Sequence, residues 1–204
     1  MKKEFYLEFC FKGNRTYVQG PDIFDASLTC ITANFNIIEK VKYTAYHMLH
    51  KNASLIITDN FKKSDYPIIN SLITFIKNKI KYFAVIVENQ QDIECSVEYS
   101  ENIVQQKSIL ETDTISFLNT LDDSYTEVVV SMNKYFLTQT LEATGKWIVT
   151  KFDYDYIENI TDVKNKMITI KLLQNLNNTL TKSSLYIEDN QVGHIYFSLI
   201  PKES

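Results

Sequence analysis

The sequence predicts an α+β fold of two similar halves, each with an antiparallel sheet packed on a helix. Residues 125–200 show the order strand, helix and four further strands, and the first half of the chain begins in a similar order. The 13 Tyr and 12 Phe favour a sheet-rich protein, because aromatic side chains pack well on pleated surfaces. We expect residues 1–110 to form the first half and residues 111–204 the second, as two units or within one compact domain.

The first half opens with a strand and a helix. Residues 4–11 are rich in aromatic side chains and predict the strand. Pro21 suits the first turn of a helix in which Phe24, Leu28 and Ile31 recur at spacings of four and three. This spacing gives the helix one apolar stripe, which is expected to face the sheet.

The remainder of the first half predicts four strands and a second helix. Residues 41–49 alternate between two faces and residues 54–58 are mostly apolar, so both segments predict strands. Residues 67–81 carry isoleucine and leucine at helical spacing and predict an amphipathic helix. Strands are predicted again over residues 83–87 and 93–99.

The second half shows its elements more clearly. The pattern predicts a short helical piece at residues 115–118, a strand at residues 127–132 and a helix at residues 134–144. Asn133 is expected to cap that helix and Gly145 to end it. Four strands complete the half, at residues 147–152, 167–173, 180–187 and 194–200.

Charge and cysteine content exclude several classes of function. The net charge of -4 argues against nucleic acid as the main partner, because duplex binding requires a basic face. No apolar run reaches the ~18 residues that a membrane span needs. The three cysteines show no close pairing, so the sequence predicts neither a disulfide framework nor a redox or zinc site. A reducing cytoplasm is therefore the expected location.

Motifs for nucleotide binding, α/β-hydrolase chemistry and zinc catalysis are absent from the sequence, which contains no GxGxxG, GxSxG or HExxH. His47 and His50 do not share a strand face, so they do not predict a metal site. We therefore expect neither a cofactor nor a metal.

The segments that lead into two of the predicted helices are similar to each other. GNRTYV at residues 13–18 precedes Asp25, and MNKYF at residues 132–136 precedes Glu142. Each segment combines Asn, a basic residue and an aromatic residue, and each acidic residue is followed by Ala.

The order of a strand, a central helix and a bent antiparallel sheet resembles the hotdog superfamily, and two copies in one chain resemble its double-hotdog members. The resemblance implies an acyl-thioester-binding protein of fatty acid or polyketide metabolism, active as a thioesterase or hydroxyacyl dehydratase, or degenerate. Its partners would be acyl-CoA or acyl carrier protein, and a homo-oligomer is left open. Two features differ: residues 67–81 would be an insertion, and the dehydratases' His-containing loop and Pro-Gly-Val segment are missing.

Three residues are candidates for proton transfer. Asp25 and Glu142 match the acidic position on the hotdog helix, so the resemblance implies a catalytic role, although isolated carboxylates are usually solvated. His47 falls on the same face of its predicted strand as Tyr43, where a buried imidazole needs a hydrogen-bond partner and is suited to proton transfer. The alternative for His47 is a core residue bonded to a backbone carbonyl.

Substrate binding is expected at the start of the two central helices. The helix starts near Ile23 and Lys134 would offer free backbone N–H groups to a thioester carbonyl. Arg15 and Lys134 would bind a phosphate, as in a phosphopantetheine arm, or would be ordinary surface charges. An apolar tunnel for the acyl chain would be lined by Phe24, Leu28 and Tyr43.

A second reading of the sequence is a non-enzymatic interaction protein or accessory subunit. The lack of catalytic motifs favours it, and so does the abundance of tyrosine, which is common at protein interfaces. The two readings differ in structure, because an enzyme needs an apolar pocket with Asp25 or His47 at its mouth. An interaction protein would instead expose an apolar patch or a strand edge.

Overall fold

The computed structural model describes residues 2–157 and 160–202. The chain divides into two compact units, which comprise residues 1–100 (unit 1) and residues 101–204 (unit 2). Within the described residues, no helix is long and apolar enough to span a membrane. The predicted halves at residues 1–110 and 111–204 remain a prediction.

Unit 1 is an antiparallel sheet with one long helix. Its elements are β1 (Lys2–Leu7), β2 (Phe11–Lys12), α1 (Gly20–Phe35), β3 (Glu39–Ala45), β4 (Lys51–Thr58), β5 (Ser71–Lys77), β6 (Ile80–Asp92) and β7 (Ser96–Val97). The sheet has the strand order β1-β4-β6-β5-β3, and β2 and β7 form a separate parallel pair.

Helix α1 confirms the predicted first helix. Pro21 lies in its first turn, where a missing N–H group carries no cost, and Asp22 complements the helix dipole there. The predicted stripe continues to the end of the helix, because Phe24, Ile31 and Phe35 are all buried. Phe24 and Phe35 meet the sheet edge-on, at Tyr43 of β3 and Phe75 of β5.

The helix predicted at residues 67–81 is wrong, because this segment contains β5 and the start of β6. The two strands are joined by a tight turn in which Asn78 and Lys79 both have positive φ, at 50° and 65°. Ile73 and Phe75 are buried on one face. Leu72 lies on the other face, against the cluster of Ile56, Ile69 and Val85. Apolar residues on both faces of a buried strand imitate helical spacing.

Unit 2 contains a larger sheet and two helices. Its elements are α2 (Asn102–Lys107), β8 (Ile109–Leu110), β9 (Thr114–Leu118), α3 (Tyr125–Thr140), β10 (Gly145–Tyr156), β11 (Met167–Leu176), β12 (Leu180–Ile187) and β13 (Asn190–Pro201). The strand order is β8-β9-β11-β12-β13-β10. The last four predicted strands are confirmed, whereas the predicted helical piece at residues 115–118 is strand β9.

The single helix α3 replaces the strand predicted at residues 127–132 and the helix predicted at 134–144. Its N-cap is Ser124, whose hydroxyl accepts a hydrogen bond from the backbone N–H of Glu127 at 3.1 Å, and not Asn133. Gly145 begins β10, where a Cβ atom would lie 2.3 Å from the carbonyl oxygen of Ile200. The valines that favour a strand are instead buried on a helix, because packing outweighs their weak strand preference.

The two units share an element order but differ in strand order. Apart from the short elements β2, β7, α2 and β8, each unit has a strand, a 16-residue helix and then four strands. Numbered within each unit from that first strand, the sheet order is 1-3-5-4-2 in unit 1 and 1-3-4-5-2 in unit 2. The difference lies after the third strand, because the β4–β5 connection passes β6 in unit 1, whereas β11 and β12 are neighbours in unit 2.

A disulfide joins Cys10 to Cys95, so the prediction of no disulfide is wrong. The two Cα atoms lie 4.8 Å apart although the residues are 85 positions apart in sequence. Cys30 on α1 is a free thiol. The sequence carried no local signal for the pair, because antiparallel pairing of β1, β4 and β6 brings the two cysteines together.

Candidate functional site

A buried polar pair joins the long helix of unit 2 to its sheet. Asn133 lies in the middle of α3 and Ser183 in the middle of β12, and both side chains are completely buried. The Ser183 hydroxyl donates a hydrogen bond of 3.2 Å to the Asn133 side-chain oxygen. In this arrangement the amide oxygen faces the sheet and accepts from the hydroxyl.

Donors at this pair lack partners within residues 2–157 and 160–202. The Asn133 side-chain nitrogen and the Thr181 hydroxyl make no hydrogen bond there. Thr181 precedes Ser183 by two residues on β12, so both side chains face the same side of the sheet. An unmade hydrogen bond of a buried polar group costs about 1–3 kcal/mol, so such groups call for an explanation such as a bound ligand or water.

The surroundings of Asn133 are apolar. Val129, Val130, Phe136 and Leu137 lie three and four residues away on α3, and all are buried. Hydrogen bonds are electrostatically stronger in such an environment than in water. An amide N–H group held there is chemically suited to donate to a carbonyl oxygen that gains negative charge.

Unit 1 contains a second buried polar pair, between two of its strands. The hydroxyl groups of Tyr43 on β3 and Ser71 on β5 lie 3.0 Å apart, and both residues are fully buried. Burial raises the pKa of Tyr43 to about 12, which the bond to Ser71 partly offsets. On α1, Ser27 is also fully buried, and its hydroxyl has no hydrogen-bond partner in the described part of the chain.

Some predicted substrate-binding residues lie together in the core of unit 1. Phe24 and Tyr43 are in edge-to-face contact, with ring centroids 5.8 Å apart, and Ile23 is buried beside Phe24 in the first turns of α1. Leu28 and Asp25 lie on α1 and are half-buried. Their catalytic and binding roles remain predictions.

His47 does not lie in the core, contrary to the expected face. Strand β3 ends at Ala45, so the alternation that would bury residue 47 stops before it, and His47 is exposed. Its backbone N–H donates to the carbonyl of Asn70 at 3.1 Å. Arg15 lies in the turn after β2, where its guanidinium stands 5.0 Å from the ring centre of Tyr99.

The predicted residues of unit 2 are not at a helix start. Lys134 lies in the middle of α3, and its ammonium contacts both carboxylate oxygens of Glu101, at 2.9 and 3.2 Å. Glu142 lies beyond the end of α3 and is exposed. The positions differ from those expected because α3 begins at Tyr125, nine residues before Lys134.

Sequence reasoning missed Asn133 and Ser183 as site residues. Once residues 125–140 are recognised as a helix, Asn133 falls on its apolar stripe, and a polar residue on such a stripe is a useful signal. Ser183 and Ser184 interrupt an otherwise strand-like run, which is a weaker signal. Within residues 2–157 and 160–202, no group of three His, Cys, Asp or Glu residues is arranged to hold a metal ion.

Solved structures match this architecture over nearly the whole chain. A tesB protein of Mycobacterium avium subspecies paratuberculosis matches with a TM-score of 0.53 at 11% identity, over 97% of this chain and 93% of that chain. The dehydratase domain of PpsC from Mycobacterium tuberculosis, in complex with C12:1-CoA, gives a TM-score of 0.52 at 8% identity, over 98% and 93%. The fold is the hotdog fold.

A third solved structure with a similar fold is the pyran synthase domain from module nine of the sorangicin pathway. It matches with a TM-score of 0.54 at 6% identity, over 99% of this chain and 94% of that domain. No protein-family model and no curated protein sequence matches the chain. The hotdog resemblance inferred from element order is thus confirmed by structure, while sequence identity is too low to carry activity across.

Proposed function

We propose that this hotdog protein binds acyl thioesters of coenzyme A or of acyl carrier protein. Its activity would be that of a thioesterase or hydroxyacyl dehydratase, and a degenerate relative that binds without turnover belongs to the same proposal. Support comes from the whole-chain likeness to a tesB protein and to a dehydratase domain in complex with C12:1-CoA. A shared fold does not by itself establish a function, so the proposal has to rest on the residues of the site.

The observation that carries the proposal is the side-chain nitrogen of Asn133. A thioester carbonyl gains negative charge on its oxygen when it is attacked or when a neighbouring proton is removed, and a fixed N–H donor stabilises that charge. Ser183 holds the Asn133 amide by donating to its oxygen, which leaves the nitrogen as the donor. The pair therefore resembles a preorganised donor and its support.

Proton transfer is proposed for Asp25, with His47 and Glu142 as the remaining candidates. Asp25 is half-buried on α1, whereas His47 and Glu142 are exposed. A general base must be held within reach of its substrate, and a half-buried side chain is held more firmly than an exposed one. This difference favours Asp25 among the three.

A double-hotdog arrangement of two similar halves is part of the proposal. The shared order of a strand, a 16-residue helix and four strands supports it. The unequal strand orders of the two units require that one half has changed its connections since any duplication.

Turnover of a panel of acyl-CoA and acyl-carrier-protein thioesters tests the proposal. Asn133→Leu removes the donor at similar volume, and Asn14→Leu is the matched control on an exposed turn. Asp25→Asn, His47→Ala and Glu142→Gln test the proton-transfer candidates. If the folded Asn133→Leu variant has lost turnover, the result supports the site. If that variant turns over substrate as fast as the native protein, Asn133 is not part of the site. The absence of both binding and turnover across the panel would contradict the proposed function.

A non-enzymatic interaction protein is the second candidate function. The observation that favours it is the exposed apolar end of the unit 2 sheet, where Ile109, Leu110 and Leu118 are 61%, 39% and 50% exposed. Sheet edges of this kind favour pairing with another chain. Sedimentation of the native chain against an Ile109→Lys variant distinguishes the two candidates, because only the interaction role requires this surface.

A further inference from the structure

The Cys10–Cys95 disulfide ties together the two ends of unit 1. Cys10 follows β1 and precedes β2, while Cys95 follows β6 and precedes β7. The bond therefore joins the beginning of the unit to the segment that leaves it. Cys95 is exposed and Cys10 is half-buried, so the bond does not lie in the core of the unit.

A short ladder and backbone hydrogen bonds accompany the disulfide in holding this departing segment, residues 93–100. The ladder of β2 and β7 has two residue pairs, Phe11 with Ser96 and Lys12 with Val97. Backbone N–H groups of Phe11 and Gly13 donate to the carbonyls of Cys95 and Val97, at 3.0 and 2.9 Å. Side chains from 94 to 98 are exposed, so apolar burial adds little.

The same segment supports a basic cluster at the start of α1. Tyr99 lies under the ammonium of Lys12 and the guanidinium of Arg15, which stand 5.1 and 5.0 Å from its ring centre. Lys12 also forms an ion pair of 2.8 Å with Asp22 in the first turn of α1. A continuous set of contacts thus runs from the disulfide through Tyr99 and Lys12 to the helix.

We propose that the Cys10–Cys95 bond is a redox lock, which holds residues 93–100 and, through Tyr99 and Lys12, the first turn of α1. When the bond is broken, the segment loses its covalent tie, so that non-covalent contacts such as the two-pair ladder must keep Tyr99 under the cations, and the segment opens more readily. The lock does not rest on the proposed thioester function, because it is argued from contacts within unit 1 alone.

The oxidant that closes the lock is a disulfide compound. One cysteine thiolate attacks that compound, forms a mixed disulfide and releases one thiol. The second cysteine thiolate attacks the protein sulfur of the mixed disulfide, forms the Cys10–Cys95 bond and releases the other thiol. The two cysteines together lose two protons and two electrons, and the disulfide compound gains them as two thiols.

Cys30 provides a matched control. It is the only other cysteine of the chain, lies half-buried on α1, and burial raises the pKa of its thiol, which lowers the thiolate fraction. Cys30→Ala removes a thiol without touching the lock.

The test is differential alkylation and hydrogen–deuterium exchange of the full chain, equilibrated with oxidised glutathione or with dithiothreitol. We expect Cys10 and Cys95 to be protected from alkylation after oxidation, and Cys30 to stay free. Reduction should raise exchange in residues 93–100, in residues 11–15 and in the first turn of α1 by roughly tenfold, with unit 2 unchanged. Cys30→Ala should behave like the native protein.

Two results would overturn the lock. One is alkylation of both Cys10 and Cys95 after equilibration with oxidised glutathione, which would show that their thiols had stayed free. The other is an oxidised pair whose reduction leaves exchange at residues 93–100 unchanged. The double variant Cys10→Ala/Cys95→Ala should match the reduced native protein under both conditions. Because reduction needs no substitution, the comparison holds even where that variant fails to fold.

Discussion

The Ser183 hydroxyl on β12 donates a 3.2 Å hydrogen bond to the Asn133 side-chain oxygen on α3, within the buried core of unit 2. The bond satisfies the acceptor of the amide and leaves its nitrogen without a partner in the described part of the chain. A buried polar pair with an unsatisfied donor destabilises the folded state relative to apolar residues of similar size. The proposed function accounts for this cost, because a bound carbonyl would accept a hydrogen bond from the Asn133 nitrogen.

The Asn133–Ser183 bond predicts unequal costs for single and double substitutions. Ser183→Ala leaves the Asn133 oxygen unsatisfied, so we expect the free energy of unfolding to fall by about 1–3 kcal/mol. The double variant Asn133→Leu/Ser183→Ala removes both polar groups. Its loss in free energy of unfolding should be smaller than the sum of the losses in the two single variants. Urea unfolding measures each value. Strictly additive losses would show that the two side chains are not coupled.

The buried Tyr43 hydroxyl predicts a loss of stability in alkali. The pKa of Tyr43 is raised to about 12 in the folded state, against about 10 in an unfolded chain. Between these values the unfolded state has lost the proton and the folded state keeps it. The stabilisation that the protonated Tyr43 hydroxyl provides is therefore complete below pH ~10. It is lost as the pH rises towards ~12, by roughly 2–3 kcal/mol in total.

Tyr43→Phe should flatten this part of the stability profile, since it removes the titrating group. Burial raises the pKa of Tyr125 as well, which leaves a residual slope of the same sign. Chemical unfolding at about pH 9 and about pH 11 provides the comparison. An equal alkaline loss in the native protein and in Tyr43→Phe would place the titration at another residue.

The Lys134–Glu101 ion pair predicts a structural role for Lys134. The ammonium and carboxylate are partly buried, with exposures of 29% and 12%. Lys134→Met and Glu101→Gln should each lower the free energy of unfolding by about 1 kcal/mol, and the double variant should lose less than the sum. Neither should change KM for a thioester. A higher KM in Lys134→Met alone would instead support the phosphate-binding role predicted from the sequence.

Loss of the disulfide is expected to destabilise unit 1 as a whole as well as its departing segment. The bond closes a loop between residues 85 positions apart. A cross-link over such a loop typically contributes about 2–4 kcal/mol, chiefly by restricting the unfolded chain. We expect Cys10→Ser/Cys95→Ser to unfold at lower denaturant than Cys30→Ser. Equal midpoints for the two variants would contradict this contribution.

Local pattern was enough to predict the helix α1 and the last four strands of the chain. Phe24, Leu28 and Ile31 follow helical spacing, and Pro21 marks the start, so neighbouring residues determine that helix. The strands from β10 to β13 alternate and are separated by turn residues. The order of these elements was in turn enough to suggest the hotdog fold that solved structures confirm.

Errors occurred where burial on more than one side removes the periodic signal. Residues 128–133 are buried all round α3, so their valines suggested a strand. Residues 71–77 have apolar side chains on both faces of β5, so they imitated a helix. The first error also concealed Asn133 by assigning it to a helix cap.

Contacts between distant residues were beyond local pattern altogether. Cys10 and Cys95 meet through strand pairing, and Asn133 meets Ser183 fifty residues later through packing of α3 on β12. Neither pair has a spacing motif. The exposed position of His47 likewise depends on where β3 ends, two residues before it, which the alternation did not reveal.

The most direct test of the proposed site is the nuclear magnetic resonance signal of the Asn133 side-chain amide in 15N-labelled protein. The spectrum of Asn133→Leu identifies that signal, and the ligand is an acyl-CoA analogue whose thioester sulfur is replaced by methylene, so that the carbonyl remains. We expect the two amide protons to shift as the carbonyl accepts their hydrogen bond. Saturable binding that leaves the Asn133 amide unshifted would contradict the site.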